Sequence, residues 1–107
     1  MDLNFNKNED HNKLLLSDLR HRFAKIKMGG GEKRIQKLHS EGKMTARERI
    51  EYLLDKGKCI EIGAFVGEGM YQEYGGCPSG GVVVKMGYIR GKQCIVVAND
   101  ATVKAGA

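Results

Sequence analysis

The sequence predicts a mixed α/β fold in which a helical half precedes a strand-forming half. Three observations carry this reading. Up to Gly57 the apolar residues recur at helical spacing. From Cys59 onward they alternate or run together, as in strands. The 107 residues include fifteen glycines, a share about twice the usual ~7%. Four of these glycines fall up to Gly42 as helix punctuation, and eleven fall from Gly57 on, mostly in loops and turns. The division expected is therefore a helical segment over 1–57 and a strand segment over 58–107.

Taken in order, residues 10–56 read as helical. Leu15, Leu16, Leu19, Phe23 and Ile26, at spacings of 1, 3, 4 and 3, make one apolar stripe. Gly29-Gly30-Gly31 stops that helix, because three glycines raise the backbone entropy cost of continuing it. A second helix from Glu32 to Ser40 turns Ile35 and Leu38 inward and stops at Gly42. Thr45-Ala46-Arg47-Glu48 has the form of a capping box, the Thr hydroxyl accepting from the Glu48 amide while the carboxylate reaches back. The helix it opens sets Ile50, Leu53 and Leu54 on one face and ends near Gly57.

Ile60 and Ile62, with Phe65-Val66, make a first strand segment, followed by a long loop over 67–81 with six glycines and the only proline, Pro78. Val82–Arg90 and Gln93–Asn99 then form a hairpin around Gly91-Lys92, where glycine in the first central position suits a type II′ turn. The second hairpin strand is apolar on successive residues, which predicts cover on both faces. Three small helices cannot supply that cover, so the chain is expected to open a larger domain.

Composition removes several function classes. Apolar residues at 41% and charged residues at 29% fit an ordinary folded protein and not a disordered one. The longest apolar run without glycine is five residues, Cys94 to Ala98, far short of the ~20 needed to cross a bilayer. The first residues, Met1 to Asn6, show neither a secretory signal nor an Arg/Ser-rich transit peptide, and a bacterial cytoplasm is the simplest assignment. Cys59, Cys77 and Cys94 lie 18 and 17 residues apart, which fits reduced thiols and neither a zinc knuckle nor a redox pair. His11, His21 and His39 have no cysteine or second histidine at ligand spacing, so no metal site is expected.

The net charge of +5 sits mainly in the first half: residues 1–57 hold 13 Lys/Arg against 9 Asp/Glu, and residues 58–107 hold 5 against 4. Lys25, Lys27, Lys33, Arg34 and Lys37 cluster, but Glu32 and Glu41 interrupt them, and Phe23 and Tyr52 fall on apolar faces. A solvated helix surface is favoured over a nucleic-acid face, with an acidic, phosphate-bearing small molecule kept as an option.

The local motifs point weakly. Gly29-Gly30-Gly31-Glu32-Lys33-Arg34 could hold a phosphate at a helix N-terminus, but it lacks a Gly-Lys-Ser/Thr ending and Glu32 opposes an anion. A hinge between helices is favoured. Gly67-Glu68-Gly69 is a fragment of a dinucleotide fingerprint and reads as loop. Val84-Lys85-Met86 suggests a biotinylated lysine, yet Lys85 falls in mid-strand rather than on an exposed turn. Ser79, Asp100 and the histidines compose no nucleophile–base pair. The stretch after Val97, where a buried strand runs into polar and then small residues, is either a backbone contact site for an anionic oxygen or a tight core turn.

Several blocks in the same order resemble a known family. Gly30-Gly31-Glu32-Lys33-Arg34-Ile35, Gly42-Lys43-Met44-Thr45-Ala46-Arg47-Glu48-Arg49-Ile50, Gly63-Ala64-Phe65 and Gly80-Gly81-Val82-Val83 resemble the carboxyltransferase (beta) subunits of biotin-dependent acyl-CoA carboxylases. Ala98 through Ala107 is most similar to the methylcrotonoyl-CoA carboxylase branch. The propionyl-type branch differs at Ala101 and Ala105-Gly106. The resemblance runs from about Gly29 to Ala107, and residues 1–28 match only loosely.

The resemblance implies a crotonase-like α/β domain, entered through N-terminal helices and cut short here. It also implies transfer of a carboxyl group from biotin, carried on a separate protein, to an acyl-CoA such as 3-methylcrotonoyl-CoA. The implied partners are the acyl-CoA, the biotin carboxylase and biotin carrier subunit, and further copies of the carboxyltransferase subunit. The family's enolate-binding glycine pairs fall beyond position 107, so no catalytic residue is expected within the chain and these residues alone are expected to be inactive. Lys104, Ala105 and Gly106 are the residues expected near the acyl-CoA, with Ala105 tolerable there only at negative φ. The alternatives are a propionyl-CoA-type or decarboxylase carboxyltransferase and, from another class, a small basic module binding nucleic acid or protein.

Overall fold

A computed structural model describes residues 3–106. Met1 and Asp2, at the head of the segment read as carrying no leader, and Ala107, the last residue of the family-like block, lie outside the described residues. Three helices, α1 (Leu3–Lys27), α2 (Glu32–Ser40) and α3 (Ala46–Leu53), precede three strands, β1 (Ile60–Ile62), β2 (Val82–Ile89) and β3 (Lys92–Asn99). The strands form one antiparallel sheet in the order β1-β2-β3.

Helix α1 begins at Leu3, earlier than the periodicity suggested, since no glycine or proline interrupts the chain before Gly29. Its 25 residues extend roughly 37 Å at the usual helical rise. The expected inward stripe packs only at its end. Ile26 is buried and the Phe23 ring lies 6.0 Å from Phe65, but Leu15, Leu16 and Leu19 are exposed, with no described element packed over that part of the helix. Gly29-Gly30-Gly31 turns the chain into α2, on which Ile35 and Leu38 are the half-buried positions.

Helix α3 is what covers the sheet. Its cap forms as read: Glu48 N donates to Thr45 Oγ1 at 3.2 Å, and the Glu48 carboxylate returns to accept from the same hydroxyl at 3.1 Å. The buried face is Ala46, Ile50 and the half-buried Leu54, one residue in four. Leu53, expected inside, is exposed, as is Tyr52, because that register turns both away from the sheet. Ala46 and Ile50 meet Val83 and Ala98, with Leu54 and Val96 at the margin, to make the core. Gly87 in mid-β2 makes room for this packing: a Cβ there would lie 2.9 Å from Leu54 Cδ1.

Two expectations about the strands are corrected. Phe65-Val66 belongs to a run of turns after β1, not to a strand, because Gly63 at φ +71° bends the chain away. The hairpin turn is Arg90-Gly91, with Ile89 opposite Lys92, rather than Gly91-Lys92. Both turn residues have positive φ, +50° and +78°, the signature of type I′. The described residues cover β3 on one face, and the other lacks the cover that three small helices were not expected to supply. Ile95 and Val97 are 63% and 62% exposed. The register aligns Ile60, Met86 and Ile95 in one cross-strand row and Ile62, Val84 and Val97 in the next, on the face away from Val83 and α3.

Candidate functional site

The chain leaves β3 into a short polar loop whose conformation is fixed by its own side chains. Asp100 and Thr102 are both buried. Asp100 Oδ1 accepts from Thr102 N at 2.9 Å and from Thr102 Oγ1 at 2.5 Å, while Asp100 N donates to Gly81 O at 2.9 Å. With its proton committed to Asp100, the Thr102 hydroxyl accepts from Gly30 N at 2.9 Å. Arg34 Nη1 donates to Thr102 O at 3.0 Å. The glycine turn between α1 and α2 is therefore seated on the loop after β3. The seat excludes side chains: a Cβ on Gly30 would lie 1.7 Å from Thr102 O, and one on Gly29 would lie 2.7 Å from Asp100 Oδ2.

Beyond Thr102, Val103 is buried, and then Lys104, Ala105 and Gly106 turn with φ of +47°, +52° and +86°. Ala105 thus has the positive φ that was expected to be intolerable, and Lys104 shares it. Gly106 N closes the turn by donating to Val103 O at 2.9 Å. Holding two residues other than glycine in the left-handed region costs about 1–2 kcal/mol each, and such strain concentrates where backbone placement matters. The Lys104 ammonium lies over the Tyr71 ring, 3.9 Å from its centroid, which ties the turn to the glycine-rich loop.

A cavity of about 520 Å³ opens on this turn. Thr102, Lys104 and Ala105 line one side, and Arg34, Lys37 and Lys43 line the other. Glu41 is the single acid in its lining and pairs with Lys43 at 3.3 Å. The balance is cationic, which suits an anionic ligand such as a phosphate ester. Spacing along the sequence did not single out Thr102, Asp100 or Lys43. The available signals were the stretch after Val97 and the cluster of Lys25, Lys27, Lys33, Arg34 and Lys37, of which Lys33, Arg34 and Lys37 are exposed on α2, as a solvated face would be.

An exposed His–Glu hydrogen bond and an exposed ion pair flank this arrangement. His39 Nε2 lies 2.6 Å from Glu48 Oε1, and this bond, helped by Thr45, holds the Glu48 carboxyl below the usual carboxylate range. Arg22 on α1 holds Glu68 of the glycine-rich loop through Nε at 3.1 Å and also through Nη2. That bond lowers the Glu68 carboxyl and raises the Arg22 guanidinium from their ordinary values. A larger cavity of about 630 Å³ lies between this pair, the Gly29–Gly31 turn and residues Gly67 to Pro78.

A different anchor holds the loop before β2. Arg47 Nη1 reaches Glu61 Oε2 at 2.7 Å, while the second Glu61 oxygen is buried without a hydrogen-bond partner among the described residues. Ser79, a candidate weighed as a nucleophile, is buried and donates to Ala64 O at 3.1 Å, with no base beside it. Cys59, Cys77 and Cys94 are unpaired, and no cluster of three His, Cys, Asp or Glu able to hold a metal occurs among the described residues. No described helix is long and apolar enough to cross a membrane.

The carboxyl transferase domain model matches residues 37–107, from mid-α2 through the left-handed turn. The chain belongs to the carboxyl transferase family. It is 47% identical over 93 residues to a probable mitochondrial methylcrotonoyl-CoA carboxylase beta chain of Drosophila melanogaster, covering 86% of this chain and 16% of that one. It is 43% identical over 91 residues to a methylmalonyl-CoA decarboxylase alpha subunit of Veillonella parvula, covering 82% and 18%. Among solved structures, the transcarboxylase 12S hexamer with methylmalonyl-coenzyme A and methylmalonic acid bound superposes with a TM-score of 0.78 at 37% identity, over 86% of this chain and 18% of that one. As a carboxyl transferase family member, the chain is thus a mixed α/β unit that spans about a sixth of the length of these relatives.

Proposed function

We propose that this chain is the entry segment of a carboxyltransferase subunit acting on an acyl-CoA, and that the Lys104–Gly106 turn lies against that substrate. The observation that carries the reading is the family match over residues 37–107, which ends on the cationic cavity and its strained turn. Arg34, Lys37, Lys43 and Lys104 supply the positive lining that the phosphates of coenzyme A call for. The reaction replaces an acidic C–H of the acyl group with a carboxylate, the proton passing to the biotin that gave up its carboxyl group. Backbone amides held in a fixed direction are the groups suited to hold an enolate or thioester oxygen.

Biotin is the cofactor that the family relation implies, brought by a carrier protein. Lys85 does not fit as its attachment point: it sits in mid-β2, opposite Glu61 on one side and Val96 on the other, and not on an exposed turn. No described residue is assigned to biotin, and this chain's part is confined to the acyl-CoA. The fold we infer for the whole subunit is crotonase-like, with the remaining site residues supplied outside these positions. The 107 residues by themselves are accordingly expected to be inactive.

Among acyl groups, the 3-methylcrotonoyl reading is favoured by the methylcrotonoyl-CoA carboxylase beta chain at 47% identity. The test is carboxylation by the complete subunit with its biotin carboxylase and carrier, comparing kcat/KM for 3-methylcrotonoyl-CoA and propionyl-CoA. A preference for 3-methylcrotonoyl-CoA supports the reading. A preference for propionyl-CoA reassigns the branch, and turnover of neither, or decarboxylation of methylmalonyl-CoA instead, rejects it.

A further inference from the structure

We propose that Thr102 is a positioning residue for the acyl-CoA, acting through the Lys104–Gly106 turn. This rests on the function proposed above. The Thr102 hydroxyl joins the loop after β3 to the glycine turn between α1 and α2. It donates to Asp100 Oδ1 at 2.5 Å and accepts from Gly30 N at 2.9 Å, while its own residue's carbonyl accepts from Arg34 at 3.0 Å. At 4% exposure it is as buried as the core, yet it lies outside the apolar cluster of Ala46, Ile50, Val83 and Ala98. Its burial therefore serves the hydrogen bonds and not the packing.

Besides the burial of Val103 and the contact of Lys104 with Tyr71, the turn is held from the loop before it. Val103 N bonds to Asp100 O at 3.1 Å, and Gly106 N bonds to Val103 O at 2.9 Å, so both bonds hang from the Asp100–Val103 segment that Thr102 secures. Lys104 and Ala105 would relax toward negative φ if that segment loosened, since the left-handed region costs each of them energy. Loss of the hydroxyl leaves the Gly30 amide and one lone pair of Asp100 unsatisfied in a buried place. The backbone amides of the turn then lose their fixed aim, and Arg34 loses its fixed acceptor at the edge of the cavity.

The experiment compares Thr102→Val, Thr102→Ala and Thr102→Ser in the complete subunit, assembled with its carboxylase and carrier. KM for acyl-CoA and kcat are measured separately. Thr102→Val and Thr102→Ala are expected to raise KM about tenfold with kcat changed less than about twofold, and Thr102→Ser is expected to restore wild-type KM. Unchanged KM in Thr102→Ala overturns the proposal, as does a fall in kcat alone. If Thr102→Val and Thr102→Ala both fail to fold, a wild-type KM in Thr102→Cys, which keeps the size but donates and accepts poorly, overturns it, and a raised KM in that variant supports it. Wild-type subunit that turns over no acyl-CoA rejects the underlying function and this inference with it, whereas active wild type with indifferent variants rejects the inference alone.

Discussion

Asp55, just past α3, accepts from both amides of the β2–β3 turn: Arg90 N at 3.0 Å on one carboxylate oxygen and Gly91 N at 2.8 Å on the other. Asp55 N also donates to Tyr88 O at 2.7 Å, so a single residue clamps the end of the hairpin. Asp55→Ala should weaken the hairpin locally by about 1–2 kcal/mol, because two charge-assisted bonds are lost at an exposed site. Faster amide exchange at β2 and β3 ends, with unchanged exchange in α1, is the expected result.

Arg90 occupies the first central position of a type I′ turn at φ +50°, a place that asparagine or glycine takes more easily. Arg90→Asn should stabilise the hairpin by about 0.5 kcal/mol, read as slower exchange of the same amides. Destabilisation would mean that Arg90 makes a contact outweighing its backbone strain.

Ala105 lies at φ +52°. Ala105→Gly should stabilise the turn by about 1 kcal/mol in the folded subunit, less the entropy glycine returns to the unfolded chain. Ala105→Val should do the reverse, by more. Thermal unfolding of the two variants beside wild type checks the order.

Gly30 has no positive φ to protect, so its substitution isolates the steric effect. Gly30→Ala would bring a Cβ to 1.7 Å from Thr102 O, and either the turn or the loop must move. A loss of about 3 kcal/mol is expected, at the upper end for overpacking. Gly42→Ala, with nothing near its added Cβ, should cost only the strain of φ +75°, and the comparison separates crowding from strain.

Glu48 has a carboxyl held below its ordinary value, chiefly by the bond to His39. A depressed folded-state value means that the contribution to stability is present above the unfolded carboxylate value and is lost as pH falls through the folded one. Protection of the first α3 amides should therefore decline on acidification below the usual carboxylate range. Glu48→Gln should flatten that decline, and an unchanged profile would remove Glu48 as its cause.

What the sequence disclosed was local. The Thr45 cap, the stops at Gly29–Gly31 and Gly42 and the two hairpin strands depend on neighbours within a few positions, and each is found close to where periodicity put it. What it withheld was decided at a distance. The hairpin turn shifts by one residue in company with Asp55, 35 positions from Arg90. The α3 face turns from Leu53 to Ala46 because Val83 and Ala98 approach from that side. Apolar residues on both faces of β3 were legible, but which face α3 would cover was not. At the candidate site, the family resemblance pointed to Lys104–Gly106, while the positive φ of Ala105 is invisible to composition.

The contact between Gly30 and Thr102 closes a loop of 72 positions. Closing long loops comes late in folding, after the more local hairpin and its helix have met, since the entropy of closure precedes any gain from the contact. Gly30 amide protection should accordingly lag that of Val83 in pulsed exchange during refolding, and equal rates would contradict this order. The sheet and the candidate site then mature on different clocks. A nascent chain can own its hairpin before it owns a place for its ligand, and binding competence becomes a report that the helical arm has come home.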